Sequence, residues 1–498
     1  MSELKQEQEL REASEPRQED ETRQGSEPGQ GSDKTDQFGR DNIIKLLIRY
    51  SLPSIVAMIV QSTYNTINMS FVGQKVGPIG IAAIAVCMPI TMIQGAINSL
   101  IGNGCSAGVA IKLGEGDREG GRKLLGSAVA FNLIVASTNV VLGHIFIDQL
   151  LRAFGATDAI LPYARDYLNI TMFAMVFSSF GPLNPMMRIE GYPRRAMMTQ
   201  LLSTAVNLVC SPTFIFVFDL GIRGAALGTF CAQFAASSWI FFFLIRKERI
   251  IGLKWKYMRL KIRSLLHVMQ LGLPNFLMSL SQSLLSVNLN KSLITYGGDI
   301  AVSAWGITNN INNLIQQPVF GFNQGAQPII GYNIGAKNYA RVKQALLCSL
   351  GIAFFFSSLG WLLTRLFASQ IFAFFNSDPE LIAVGTRMMI VFRAFIFVVG
   401  FQQMGAAYFQ FSGRPKISIV LTLSRQVLIL LPCILILSRY FGMNGILYSG
   451  PIADFSSTTL VFIFIAREFK RLNRLQREQE ALRADSLETT TQERVISE

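Results

Sequence analysis

The sequence predicts an all-α integral membrane protein, with twelve transmembrane helices in two parallel-repeat lobes of six. Three observations carry this expectation. Half of the 498 residues are hydrophobic and only 15% are charged, where a soluble chain carries about 25% charged residues. The apolar stretches repeatedly reach the roughly 20 residues that a helix needs to cross a hydrocarbon core. Finally, the second half of the chain repeats the glycine and proline landmarks of the first in a single register.

The stretches fall near 44–72, 80–111, 123–147, 160–188, 194–218 and 223–246, then 264–296, 300–332, 340–368, 379–412, 415–440 and 443–467. Residues 1–40 precede them, rich in Glu, Gln, Arg and Ser with no apolar core. They read as a disordered cytoplasmic tail and not as a cleavable signal peptide. The last 25 residues have the same character. The expected organisation is therefore a tail at 1–40, an N-lobe at 41–248, a basic connector at 249–263, a C-lobe at 264–468 and a second cytoplasmic tail at 469–498. The run RKERIIGLKWKYMRLKIR at 246–263 holds eight basic residues and one acidic, and its charge suits a cytoplasmic connector with a helix in the membrane interface.

Topology follows from the loops. The formal net charge is +13, but the first 40 residues hold six basic and eleven acidic side chains, so the remainder is +18. That excess sits on alternate loops: Lys112, Arg118, Arg122 and Lys123; Arg194 and Arg195; the connector; Lys337, Arg341 and Lys343; Arg414 and Lys416; and the run from Lys470. The positive-inside rule makes those loops cytoplasmic. Both termini then lie inside and the number of spans is even. The same distribution excludes a nucleic-acid partner, since no basic soluble domain with interleaved aromatics exists.

A shift of 221 residues lays Leu52-Pro53 on Leu273-Pro274, Gly77 on Gly298, Gly104 on Gly325, Gly114 on Gly335 and Gly221 on Gly442. One extra residue brings Gly191-Tyr192-Pro193 onto Gly413-Arg414-Pro415. Halves of six spans enter the membrane from the same side, so they are parallel repeats with a substrate path expected between them. Pro53 and Pro274, early in the first helix of each half, each remove a ladder hydrogen bond. They serve either as static kinks or as moving hinges.

Enzyme chemistry finds no support. The chain has no GxxxxGK[ST] and no HExxH, and its only histidines are His144 and His267. The six cysteines form no CxxC pair, so neither a metal site nor a disulfide framework is indicated and reduced thiols are expected.

The run GFNQGAQPIIGYNIGAKNYARVK at 321–343 resembles the eighth-helix signature of the MATE (multidrug and toxic compound extrusion) family, with its MepA-like branch the nearest pattern. YNTINMSFVGQKVGPIGIAAIAV at 64–86, GYPRRAMM at 191–198, FIFVFDLGIRGAALGT at 214–229 and GPIAD at 450–454 extend the likeness over residues 42–468. The resemblance implies antiport by alternating access, in which an organic, cationic or amphipathic, drug-like compound leaves while H⁺ or Na⁺ enters. It also implies coupling carboxylates that this chain lacks. Asn68 stands where the first-helix pattern has Asp, Ser211 replaces the fifth-helix Asp four residues after Asn207, and Gln282 occupies the seventh-helix Glu position. An amide or hydroxyl cannot bind and release a proton near neutral pH, so proton coupling in the N-lobe is not expected.

Ionisable side chains inside spans cost at least about 2.5–3.5 kcal/mol on insertion scales, which makes the survivors candidates. Arg165 and Asp166 fall near the start of the fourth helix, within snorkelling reach of the interface. Lys291 lies in the seventh, Arg393 in the tenth, Arg425 in the eleventh and Asp454 in the twelfth. Arg425 and Asp454 sit at comparable depth, either as a structural ion pair or as the coupling site. Amides concentrate elsewhere, and Gln61, Asn65, Asn68, Asn207, Ser211, Gln282, Asn290, Asn309, Asn313 and Gln316 are the candidate lining of a hydrated cavity. The reading is thus a monomeric secondary exporter with no cofactor beyond an H⁺ or Na⁺ gradient, in the plasma membrane by default. An uncoupled facilitator or flippase on the same scaffold is the alternative.

Overall fold

The glycines that set the sequence register also set the turns. In the computed structural model, which describes residues 32–246, 249–258, 261–375 and 377–497 (side chains of 32–34, 63–70, 78 and 483–497 apart), φ is positive at Gly77 and Gly298 (75° and 62°) and at Gly221 and Gly442 (53° and 56°). The next pairs are Gly191 and Gly413 (88° and 76°), and Gly116 with Lys337 (76° and 54°). Each pair lies at equivalent points of the two halves. A side chain with a Cβ meets its own carbonyl there at a cost of roughly 1–2 kcal/mol, which is why glycine marks the register and why Lys337, like Asp219 at φ 55°, is costly.

Between these turns the described chain is helical. The spans of the first half are Ile43–Val76, Pro78–Gly114, Arg118–Ile145, a fourth built from Leu161–Phe177 and Pro185–Ile189 around a 3₁₀ turn, Pro193–Pro212, and Gly221–Leu244. In the second half Ile262–Gly335 is two spans broken at Gly298, and Tyr339–Phe375 is the ninth. Pro379–Phe392 and Ile396–Phe411 form one span bent by 49°. The eleventh and twelfth run from Pro415 and part at Gly442. Wide π turns interrupt the fifth span at Thr213–Val217 and the eleventh at Ser424–Leu430. Pro53 and Pro274 lie inside helices that keep helical dihedrals around them. The outer surface is a belt of exposed apolar side chains, among them Val209, Val217, Leu347, Phe374 and Phe462, as a lipid-facing wall requires.

The lobes meet closely at the face that carries the chain ends. A Cβ on Gly104 would strike the backbone of Val268 and Gly272, and one on Gly272 the backbone of Leu100. Gly114 lies against the backbone of Tyr332 and Ala336, while its repeat partner Gly335 lies against Ile111 and Glu115. Gly325 meets Ser51, and Gly321 meets Ile55. The contacts of Gly114 and Gly335 mirror each other, and that of Gly104 with Gly272 mirrors that of Gly325 with Ser51, so these parts of the seal follow the pseudo-two-fold axis. Small residues let helices in a bilayer approach to backbone contact. Polar bonds reinforce it: Gln327 Nε2 donates to Ser106 Oγ at 2.7 Å, and Ser51 Oγ to the Phe322 carbonyl at 3.4 Å. Toward the opposite face the same helices present exposed Met92 and Ile93 on one side, and Leu284 and Val287 on the other. The molecule is closed at the chain-end face.

Three expectations are corrected. Part of the first tail is ordered: Ser32–Arg40 is a helix whose Phe38 is buried between the rings of Tyr50 and Tyr332, at 5.2 and 5.5 Å. Asn333 Nδ2 and Arg341 Nη2 of the second half donate to the Phe38 carbonyl, both at 3.0 Å. The last 25 residues are not irregular either, because the final helix runs to Ser497. No Gly or Pro follows Pro451, strong helix formers dominate, and Arg474 pairs with Glu478 at (i, i+4). The basic connector, in contrast, forms a single 3₁₀ turn, Trp255–Tyr257, among its described residues up to Lys261. Its apolar residues Ile250 and Ile251 are buried in the N-lobe core, while Trp255 of the turn is exposed. There the Ile251 N–H donates to Glu190 at 3.1 Å, and Arg249 Nε lies 3.9 Å from the same carboxylate. Burial of that carboxyl in the turn between the fourth and fifth spans pushes its pKa up to about 7.

Candidate functional site: two abutting cavities

Kinks and broken helices leave space within each lobe. The first cavity, of 830 Å³, lies in the N-lobe between the first, second and fourth to sixth spans. Its lining is polar but carries no charge: Gln61, Gln94, Asn98, Asn103, Tyr167, Gln200 and Gln233, with hydroxyls from Thr91, Thr171 and Thr229. Gln200 Nε2 donates to Gln61 Oε1, and Asn139 Nδ2 to Gln94 Oε1 at 2.9 Å. Behind the wall, Ser211 Oγ donates to Asn207 Oδ1, and Asn207 Nδ2 reaches Thr229 Oγ1 at 3.5 Å. Asn207 and Ser211 are thus buried in a neutral network, with Ser211 pressed on Gly228. Asn65 and Asn68 lie on the helix between Ile43 and Val76, but their side chains fall outside the described residues.

The second cavity, of 330 Å³, lies in the C-lobe and shares Met58, Ser99 and Asn103 with the first. Amides line it, including Asn275, Gln282, Gln317, Asn323, Gln324, Gln402, Gln403 and Gln426, together with one charged group, Arg425. The π turn at Ser424–Leu430 places Arg425 and Gln426 side by side on this wall. Arg425 Nε donates to Asp454 Oδ1 at 2.7 Å, and the Asp454 side chain is 2% exposed against 15% for Arg425. The carboxylate therefore sits behind the guanidinium, away from the cavity. Arg393 is buried at the bend of the tenth span, with its guanidinium 5.5 Å from the Trp305 ring and 5.3 Å from that of Phe392. It lies within electrostatic reach of both Arg425 and Asp454.

Of the expected site residues, the structure places Gln61 in the first cavity and Gln282 and Arg425 in the second. Asp454 stands one bond behind. Asn290 is half-buried, Asn309 and Asn313 are exposed on the upper part of the eighth span, and Gln316 is buried, so none of these four lines either cavity. Their neighbours Gln317, Asn323 and Gln324 do, along with Gln402 and Gln403 of the tenth span. The sequence held the signal for the last two, adjacent amides in an otherwise apolar run. Lys291 is exposed, and Arg165 and Asp166 pair with Asp148 and Arg223 at 3.5 and 2.9 Å, at the face opposite the chain ends.

The MatE family model matches residues 53–213 and 274–436, once in each half. The chain belongs to this family of transporters and is not an enzyme. Among curated relatives, the multidrug export protein MepA of Staphylococcus aureus strain N315 is 23% identical over 421 residues, covering 84% of this chain and 92% of that protein. MepA of Staphylococcus haemolyticus is 24% identical over 442 residues, covering 88% and 96%. Among solved structures, the outward-facing conformation of a multidrug resistance MATE transporter of the MOP superfamily superposes with a TM-score of 0.82 at 25% identity, covering 89% of this chain and 99% of that one. A MOP superfamily transporter from Pyrococcus furiosus, described as having a binding pocket of reverse polarity, gives the same TM-score, identity and coverage. MatE proteins of this build have twelve helices in two six-helix lobes, and so has this chain.

Proposed function

We propose that this protein is a secondary exporter that carries small amphipathic organic compounds out of the cytoplasm by alternating access, in exchange for H⁺ or Na⁺. The observation that carries the reading is a face sealed by backbone-to-backbone contact between the lobes, with polar cavities beyond it. With the basic loops cytoplasmic, both chain ends lie inside, the sealed face is cytoplasmic and this conformation faces outward. Export as the direction rests on the relatives named for multidrug export. The lobes move as units of about 41–248 and 264–468 joined by the connector 249–263, in a monomer in the plasma membrane.

Pro53 and Pro274 are the proposed hinges. They lie two residues beyond Ser51 and Gly272, both of which pack in the seal. Coupling is assigned to Asp454 with Arg425, because the described lining of the N-lobe cavity holds no carboxylate, imidazole or basic side chain. Proteoliposomes with an imposed pH or Na⁺ gradient test the reading. Accumulation of ethidium against its own gradient, lost in Asp454→Asn, is expected. Strictly downhill flux would make the protein a facilitator, and gradient dependence untouched in Asp454→Asn would move coupling elsewhere.

A further inference from the structure

We propose that the C-lobe cavity is an anion site, and that the preferred cargo carries a carboxylate which docks on Arg425. The inference deepens the export reading and rests on it for the word cargo alone. Among the described residues, the linings of the two cavities include a single charged side chain, Arg425, and no carboxylate. Its geometry is that of a presented guanidinium. Asp454 takes the Nε–H from behind at 2.7 Å and fixes the plane of the group. Arg425 is a residue of the cavity wall, and its terminal nitrogens have no protein partner among the described residues. Two parallel N–H donors of a guanidinium match the two oxygens of a carboxylate, and such charge-assisted pairs are the strong ones.

The charge count points the same way. Arg393 and Arg425 share the field of one carboxylate, Asp454, so this part of the C-lobe holds one uncompensated positive charge in a low-dielectric setting. A cationic guest adds a second like charge, whereas an anionic guest restores neutrality. The surrounding amides supply the rest of the recognition. Asn323 Oδ1, Gln403 Oε1 and Gln426 Oε1 are buried acceptors on this wall without a protein donor, and they suit a guest that also offers N–H or O–H groups. A cavity of 330 Å³ holds a compound the size of one bicyclic ring with a short acid chain.

A matched pair on one scaffold tests this: radiolabelled indole-3-acetate, an anion, against tryptamine, a cation, each bound to the purified full-length protein and transported in proteoliposomes. The wild type is expected to bind indole-3-acetate about tenfold or more tightly than tryptamine, and Arg425→Gln to bring that ratio near one. Because Arg425→Gln leaves Asp454 buried alone, the double variant Arg425→Gln with Asp454→Asn removes both charges, and it is expected to lose the same preference. Tighter binding of tryptamine, equal binding, no binding of either compound, or a ratio unchanged in both variants would overturn the anion site. Ethidium export measured in the same vesicles reports separately on the transport reading, so failure of one is told from failure of the other.

Discussion

Replacing Gly335 with alanine asks whether close packing holds the chain-end face shut. An added Cβ would lie 2.9 Å from both the Ile111 carbonyl carbon and the Glu115 nitrogen, and closer still to the Ile111 oxygen. Carbon atoms rest at about 3.5–4.0 Å, so the second and eighth spans must part by at least about 0.6 Å to clear the carbon alone. The obstructing atoms are backbone, and no rotamer change relieves them. Overpacking of this kind costs typically about 1–3 kcal/mol, and a form in which the face has opened escapes it. That difference shifts a two-state equilibrium by roughly 5–150-fold. A sealed form populated at about 99% would then fall to between about 95% and about 40%. Spin labels at Glu119→Cys and Ala340→Cys, exposed positions on either side of the seal, read the outcome as a pulsed-EPR distance distribution, with the four half-buried cysteines replaced by serine. A new population at longer distance is expected. A lowered melting temperature with an unchanged distribution would refute the reasoning, since the contact would then be structural in both conformations.

The remaining predictions concern stability. Arg425→Gln alone leaves the buried Asp454 charge unpaired and should cost about 3–5 kcal/mol, and Asp454→Asn alone should cost less, because Arg425 stands on the cavity wall. The double variant should recover much of that, measured as a double-mutant cycle of thermal unfolding in detergent. Glu190 holds its proton more tightly in the folded chain, with a pKa of about 7. It therefore weakens the fold as pH rises from about 4.5 through 7, by about 3 kcal/mol at most. Melting temperatures should fall over that range in the wild type and fall less in Glu190→Gln; parallel curves would show that folding leaves the carboxyl's pKa unshifted. Phe38→Ala removes the ring held between Tyr50 and Tyr332, and hydrogen exchange should then show the helix Ser32–Arg40 losing protection while the spans keep theirs.

The spans, their pairing and the repeat were legible because each follows from a local rule: hydrocarbon thickness sets length, and positive φ selects glycine. Gly77, Gly298, Gly221 and Gly442 announced their turns by identity alone. The pairing of Arg425 with Asp454 was legible from their depth on neighbouring helices. What failed was facing. Asn309, Asn313 and Gln316 share a helix with Gln317 and Asn323, yet the twist and bend of that helix decide which of them meet the cavity, and composition does not record twist. The cavity amides of the tenth span were visible but carried no rule that ranked them above packing amides. The ends misled for another reason. Polar composition forecasts disorder, but one aromatic ring, Phe38, suffices to dock a short helix, and a helix already started at Gly442 propagates through any run free of Gly and Pro.

The seal also constrains how the sequence can change. At Gly104, Gly114, Gly272 and Gly335 the opposing atoms belong to the partner's main chain, so no substitution across the contact can make room for a larger residue. Ordinary core positions are different, since a gain in volume on one side can be offset by a loss on the other. In a genetic screen, revertants of a Gly335 variant should therefore avoid Ile111 and Glu115. They should map to residues that reposition whole helices, the hinge prolines and the turn glycines, in either half of the repeat.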